Sequence, residues 1–232
     1  MKQAIDGLLT MTDRMESLID SIYMDRVPDF WAKLAFPSTR GLNSWLDNIG
    51  MRLKQLNMWK DKPTSIPKVV FLNRLFNPQS FLTAIKQVYA QEYQQELNKL
   101  YIQTEISKKA IEAMEASTSK DKMAGQAYVY GFHLEGARFD VNTGFIEESY
   151  PKQLYCRVPI VLCKTGILKE ERGQPEKNLY QCPVYKTKNR GNTYVFPAQL
   201  KTKVNPQKWI LAGVAVILDV EGVGDVLVPQ TD

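Results

Sequence analysis

Histidine and cysteine are almost missing from this protein: one His133, and three thiols at Cys156, Cys163 and Cys182. One imidazole and scattered thiols lack zinc-ligand spacing, and an odd, sparse set of cysteines makes no disulfide framework. Reduced thiols and no metal or other cofactor are therefore expected. Long apolar runs are absent too. The longest, Trp209 to Leu218, has the length of a strand or a buried segment rather than a bilayer span of ~20 residues. No charged-then-apolar leader opens the sequence, so neither secretion nor a membrane is expected. Gly131-Phe132-His133-Leu134-Glu135-Gly136 carries two glycines but no G-x-G-x-x-G, and no Lys-Ser/Thr pair follows, so a phosphate-cradling loop is excluded.

Catalytic groups are equally thin. His133 with Glu135 or Asp140 could pair a base with an orienting acid, but no strand–turn–helix elbow presents a nucleophile to it. Asp140, Glu147 and Glu148 read as acids of a solvated turn rather than opposed carboxylates in a cleft. The expectation is a protein segment without catalysis of its own.

The net charge of +5 is concentrated. Residues 1–151 carry 18 basic and 18 acidic side chains, residues 152–208 carry 12 against 3, and residues 209–232 carry 4 acidic and no basic ones. Within the basic stretch, Lys186, Lys188, Arg190, Lys201, Lys203 and Lys208 alternate with Tyr185, Tyr194 and Phe196. Lys186, Lys188, Arg190, Lys201 and Lys203 are the candidate partner-contact residues. An acidic protein surface fits them better than nucleic acid. The structural alternative is a hairpin tip whose charges keep a sheet edge soluble.

Periodicity divides the sequence. Thr12 caps a helix bearing Met15, Leu18, Ile19 and Ile22, which ends near Val27-Pro28. A short helix begins at Asp29-Phe30-Trp31 and cannot pass Pro37. Leu42, Trp45, Leu46, Ile49, Leu53 and Leu56 share one face of a long helix reaching Trp59, with Arg52 and Lys54 off that face. Val69 to Leu72 fits a strand or a helical turn. Asn77 and Pro78 start a helix with Phe81, Leu82, Ile85, Val88 and Tyr89 on one stripe, running to about Gln95. The polar stretch 107–126 reads as a boundary. Beyond it, Ala127–Leu134, Val158–Leu162, Leu179–Tyr185, Tyr194–Leu200 and Trp209–Leu218 read as five strands. The fold expected is α+β: a helical subdomain over 1–122, then a small, antiparallel, incomplete β-barrel over 123–232.

Several phrases resemble the C-terminal region of dynein heavy chains, in family order and across nearly the whole sequence. They are Leu9-Thr10-Met11-Thr12 with Glu16, Val27-Pro28-Asp29-Phe30-Trp31, Phe36-Pro37-Ser38 and Leu42-Asn43-Ser44-Trp45. Phe76-Asn77-Pro78-Gln79-Ser80-Phe81-Leu82-Thr83-Ala84-Ile85 is the most specific. Tyr128-Val129-Tyr130-Gly131, Leu134 to Asp140 and Cys182 to Thr187 complete the series. Lys186-Thr187 to Tyr194-Val195, with Arg190-Gly191, is more similar to axonemal than to cytoplasmic dyneins. Glu221 to Asp232 runs past the usual end. The resemblance implies a non-catalytic regulatory and structural domain of a microtubule motor in the axoneme of a cilium or flagellum. It would pack on the AAA+ ring of the same heavy chain and modulate motor output, within a complex of other dynein subunits and microtubules. ATP hydrolysis and microtubule binding would lie elsewhere in the heavy chain. The alternative is a stand-alone basic adaptor that binds an acidic protein surface or RNA.

Overall fold

The computed structural model describes residues 2–36, 38–61, 63–107, 124–167 and 178–220. Most of the polar stretch at 107–126 and all of 221–232 lie outside them.

Helices dominate the front. They are α1 (Lys2–Ile5), α2 (Asp13–Tyr23), α3 (Asp29–Leu34), α4 (Leu42–Lys60) and α5 (Pro78–Tyr93). Thr12 caps α2 through the Met15 amide, at 3.4 Å, though the helix stops at Tyr23. Asn77 accepts from the Ser80 amide at 3.2 Å, and Pro78 occupies the first turn of α5. Gln94, at φ +50°, ends that helix in the left-handed region. The α4 N-terminus is capped from a distance. Gly41 offers no side chain, and the Asp25 carboxylate accepts from the Asn43 amide at 3.0 Å. A Cβ at Gly41 would stand 2.4 Å from that carboxylate, so only glycine admits this cap.

The Val69–Leu72 ambiguity resolves both ways. β1 (Val69–Phe71) runs straight into a 3₁₀ turn at Leu72–Arg74. After α5, where apolar character simply continues in the sequence, β2 (Leu100–Ile106) forms. The front of the molecule therefore supplies strands as well as helices, and a purely helical N-terminal subdomain is not what forms.

The strands are more numerous than expected and their bounds differ, two of the expected runs being divided while those that begin at Leu179 and Tyr194 extend to Thr187 and Thr202. Ala127–Leu134 is two strands, β3 (Gln126–Tyr130) and β4 (Phe132–Glu135), which belong to different sheets. The backbone switches sheets at Gly131, whose φ is +91° and whose added Cβ would meet the Phe71 ring at 2.8 Å. β5 (Arg138–Phe139) and β6 (Phe145–Glu147) follow. Val158–Leu162 straddles a break between β7 (Tyr155–Val158) and β8 (Val161–Ile167). β9 (Leu179–Thr187) and β10 (Tyr194–Thr202) form the expected hairpin. Trp209–Leu218 is a short helix, α6 (Gln207–Leu211), and then β11 (Ala215–Asp219).

One sheet has the order β1-β3-β8-β2 and the other β5-β6-β10-β9-β11-β4-β7. The outermost strands of the second approach each other: the Phe139 amide on β5 lies 3.4 Å from Cys156 Sγ on β7. That sheet is nearly closed as a barrel. The expectation of an antiparallel barrel is corrected. β10 pairs with β6 in parallel and β11 with β9 in parallel, as β1 does with β3 in the smaller sheet. Hairpin signals report only local pairs, whereas parallel neighbours are joined by crossovers, here through α6 for β9 and β11.

The main core joins Phe81, Leu82 and Ile85 of α5 to Phe132, Leu134, Val184, Leu200 and Val216 of the barrel. A second, small core holds Phe36, Leu42 and Trp45, with Val27, Trp31 and Ile49 packed against it.

Asn77→Leu removes the α5 cap without touching either core. It should lower stability by about 1 kcal/mol, read as a shift in the urea midpoint with an unchanged slope. A wild-type midpoint would mean that the cap contributes nothing.

Candidate functional site

Helix α4 buries only part of the face that its periodicity suggests: Leu42 and Trp45 are buried and Ile49 and Leu56 pack on the cores. Leu46 and Leu53 are about half exposed, while Trp45, Asn48 and Arg52 are buried, Arg52 to 3 %. Trp45, Arg52, Leu56 and Trp59 recur at helical spacing, so a wheel centred on the tryptophans puts Arg52 inside. Leu46 and Leu53 point the other way.

Inside, the guanidinium of Arg52 is held at all three of its nitrogens. Nε donates to Asn48 Oδ1 at 2.6 Å, Nη1 to the Leu75 carbonyl at 2.9 Å and Nη2 to Asn73 Oδ1 at 3.3 Å. Its face stacks 3.7 Å from the Phe36 ring centroid. A desolvated guanidinium on a ring is worth about 2 kcal/mol, which helps offset its burial. Asn73 then hands the network on, donating through Nδ2 to Asp219 Oδ1 at 3.3 Å. Asp219, at the end of β11, also accepts from Arg40 Nε at 2.7 Å and from Ser38 Oγ at 3.1 Å. The α3–α4 connection, α4, the 3₁₀ turn and the last barrel strand thus meet in one polar seam. The Gln55 amide adds to it, pairing with both the N–H and the C=O of Phe71 on β1 at 3.1 and 3.2 Å. In the sequence, Asp219, Asn73 and Arg40 carry no motif, and Ser38 enters only as the end of the phrase Phe36-Pro37-Ser38.

The five candidate contact residues are divided. Lys186 is half-buried on β9, beside Arg52, Phe36, Asn73, Phe76 and Leu218, at the edge of the seam. Burial, with the like charge of Arg52 second, holds its pKa below 10.5. Lys188 is exposed in the hairpin turn. Arg190, at φ +52°, pairs with Glu135 at 2.9 Å. Lys201 pairs across the hairpin with Leu179, which lies seven residues before Lys186. At ~3.4 Å per residue that separates the two lysines by about 24 Å along the ladder. Lys203 is held by Glu147 at 3.0 Å, and Glu147 also receives Arg138. Lys208 pairs with Glu148. Lys201 and Lys203 come together, Lys186 to Arg190 form another group, and the fold does not join the two.

The turn acids are occupied as well. Thr143 Oγ1 donates to Asp140 at 2.6 Å and holds its pKa below the ordinary value, while Lys208 does the same for Glu148. His133 is buried on β4, opposite Arg157 on β7 and Ile217 on β11. Burial pushes Cys163 and Cys182 up to about 12, far from a reactive thiolate. Among the described residues no group of three or more His, Cys, Asp or Glu could hold a metal ion. No helix among them is long and apolar enough to cross a membrane. A cleft of about 410 Å³ opens where β2 passes β10, lined by Gln103, Thr104, Glu105, Phe139, Gln199 and Lys201. There the Gln199 amide donates to Thr104 Oγ1 at 2.6 Å, bridging the two sheets. The cleft does not reach His133.

A helical front, a nearly closed mixed barrel and a polar seam between them are thus the features to be matched. The family model for the C-terminal domain of the dynein heavy chain matches residues 1–218. The protein belongs to this family. Among its relatives, the flagellar outer arm dynein beta chain of Chlamydomonas reinhardtii is 44% identical over 216 residues, 93% of the present sequence and 4% of that protein. Dynein axonemal heavy chain 9 of Homo sapiens is 40% identical over 220 residues, 95% of the present sequence and 5% of that protein. Human dynein axonemal heavy chain 17 is 41% identical over 216 residues, 93% and 5% respectively. The sequence spans about one-twentieth of the length of these relatives. The match is to one domain of a very long protein.

The chemistry of the seam can be tested at two residues. Asp219→Ala leaves Arg40 buried without its carboxylate and should cost about 3–5 kcal/mol. The double variant Arg40→Met/Asp219→Leu should lose clearly less in the same urea titration; equal losses would show that the pair has no special electrostatic role. For Lys186, a depressed pKa means that folding disfavours the charged form. That penalty is complete below the folded-state pKa, shrinks as pH rises through it and is gone above 10.5. Lys186→Met should therefore be at least as stable as wild type near neutrality. Its advantage should fall as pH rises toward 10.5, in paired thermal melts. A difference that is flat with pH would contradict the assignment.

Proposed function

We propose that this domain is a non-catalytic regulatory and structural part of an axonemal-type dynein heavy chain, packing on the AAA+ ring and modulating the output of a ciliary or flagellar motor. The parent heavy chain would hold the ATPase and the microtubule-binding parts. The observation that carries the reading is apolar surface on the front helices. No residue of α2 is fully buried, although Met15, Leu18, Ile19 and Ile22 give it an apolar stripe. Phe30, Leu34, Leu46, Leu53 and Met58 are 48 to 78 % exposed. Leu46 and Leu53 stand two turns apart on one face of α4, and contiguous apolar exposure of this kind marks a surface that another body covers. Gly50 supports this: it lies in mid-helix on the outward side of α4, a Cβ there would meet nothing, and glycine is a poor helix former. A body bridging several ring modules makes contacts that depend on their relative orientation, and so biases the equilibrium between ring states.

The basic residues Lys186, Lys188, Arg190, Lys201 and Lys203 are a second candidate contact. The adaptor alternative needs them free for an acidic protein or RNA, yet Arg190 and Lys203 already pair with carboxylates of the same molecule. In the same reading the domain divides near residue 122 into a helical part and a barrel part. β1 and β2 tie the two together by pairing with β3 and β8.

The test is a full-length motor in which Leu46→Asp and Leu53→Asp have been introduced. Both side chains face outward, so folding should be retained, while microtubule gliding velocity or stimulated ATPase changes at least twofold. Wild-type motor output with the domain folded would refute docking through this face. Loss of output on replacing only Lys188, Lys201 and Lys203 would transfer the contact to the basic side.

A further inference from the structure

Among the described residues the two apolar cores of this domain stay separate. The small one, Phe36, Leu42 and Trp45, belongs to α3, α4 and the turn between them, and Val27, Trp31 and Ile49 close it. The large one belongs to α5 and the sheets, and reaches α4 only through its second half, at Leu56 and Trp59. Between them lies the seam of Ser38, Arg40, Arg52, Asn73 and Asp219. Phe36 meets Phe76 edge-on across it, with ring centroids 5.9 Å apart.

A boundary of this composition behaves differently from an apolar one. Separating apolar faces exposes area at about 25 cal/mol per Å² with nothing returned. Separating hydrogen-bonded groups returns each of them to water, so the net loss per bond is small beside its gross strength. Local opening is drawn from regions that bury few apolar contacts, and such units exchange together. The segment from α2 to the first half of α4 contributes no strand to either sheet, so no backbone ladder opposes the motion.

We propose that α2, α3 and the first half of α4 form a separately releasable layer, and that the Asp219-centred seam is the latch holding it to the barrel. The carboxylate is the pivotal group because it gathers Ser38 and Arg40 from the layer and Asn73 from the barrel side at once. Arg52 is the second fastening. It lies just past the layer, tied to Leu75 and Asn73 on the barrel side, and the layer meets it through Asn48 Oδ1 and the Phe36 ring, the contacts that release would loosen. The inference is independent of the docking reading, because it concerns the order of opening within the domain.

Native-state hydrogen exchange on the 232-residue protein tests it. The hydrogen-bonded amides of α2, α3 and the first half of α4 should exchange as one set, faster than those of β9 and β10. Asp219→Asn, which keeps the shape and removes the charge, should speed that set by about tenfold or more and leave β9 and β10 unchanged. Ser38→Ala removes the bond to Asp219 and the local bond from the Arg40 N–H and should speed the same set a few-fold, which covers the case in which Asp219→Asn fails to fold. Protection of the layer equal to that of β9 and β10 overturns the proposal. So does a variant that accelerates both sets alike, or a Ser38→Ala protein that exchanges as wild type.

Discussion

One carboxylate, on Asp219, fixes how the two halves of this molecule meet. It terminates β11, the strand that sits between β9 and β4 in the nearly closed barrel, and it is almost wholly removed from solvent. A buried anion persists only where donors surround it. Here they are Ser38, Arg40 and Asn73, drawn from two separate stretches of the sequence. The requirement propagates. Asn73 must present its amide nitrogen to Asp219, which turns its oxygen toward Arg52, and Arg52 must then lie on the inner side of α4. The orientation of the longest helix, and with it the outward direction of Leu46 and Leu53, follows from satisfying a charge rather than from maximising buried leucine.

That series of causes also explains what is and is not legible in the sequence. Helix starts at Thr12 and Asn77 are legible because capping is local chemistry, settled within three residues. The β9–β10 hairpin is legible because turn residues and alternation sit side by side. The face of α4 is not, since it depends on partners up to 146 residues away along the network, Asn73 to Asp219. The parallel pairs are not, since β9 and β11 are brought together by a crossover that no local pattern encodes. β2 escapes notice because Leu100, Tyr101 and Ile102 follow a helix without a breaker, and only the ladder with β8 identifies them as a strand. Gly131 looks like part of one strand because its role, turning the backbone from one sheet to the other against Phe71, exists only in three dimensions. Among the candidate site residues, proximity in sequence at 186–203 gives no guide to proximity in space, because a hairpin of two nine-residue strands holds its ends far apart. Family phrases succeed where periodicity fails, since they encode the outcome of those long-range constraints.

On the proposed reading, a domain without chemistry of its own needs a physical means of influencing a partner, and the distribution of apolar side chains would supply one. The barrel and α5 hold nearly all the deeply buried volume, so that part is stiff. The front helices enclose a small core and leave a large apolar surface outward, so their position is set by weaker terms. Such a layer is least stable alone and most responsive to what covers it. A neighbour seated on Leu46, Leu53 and Phe30 would stabilise one placement of the layer, and the polar seam would pass that placement to β11 through Asp219. Stiffness at the barrel end is necessary for this, because a soft barrel would absorb the displacement instead of transmitting it. The seam has to be polar for the same reason: an apolar junction of equal area would fuse the two cores into one body, and contact at the helices would then move nothing relative to the sheet.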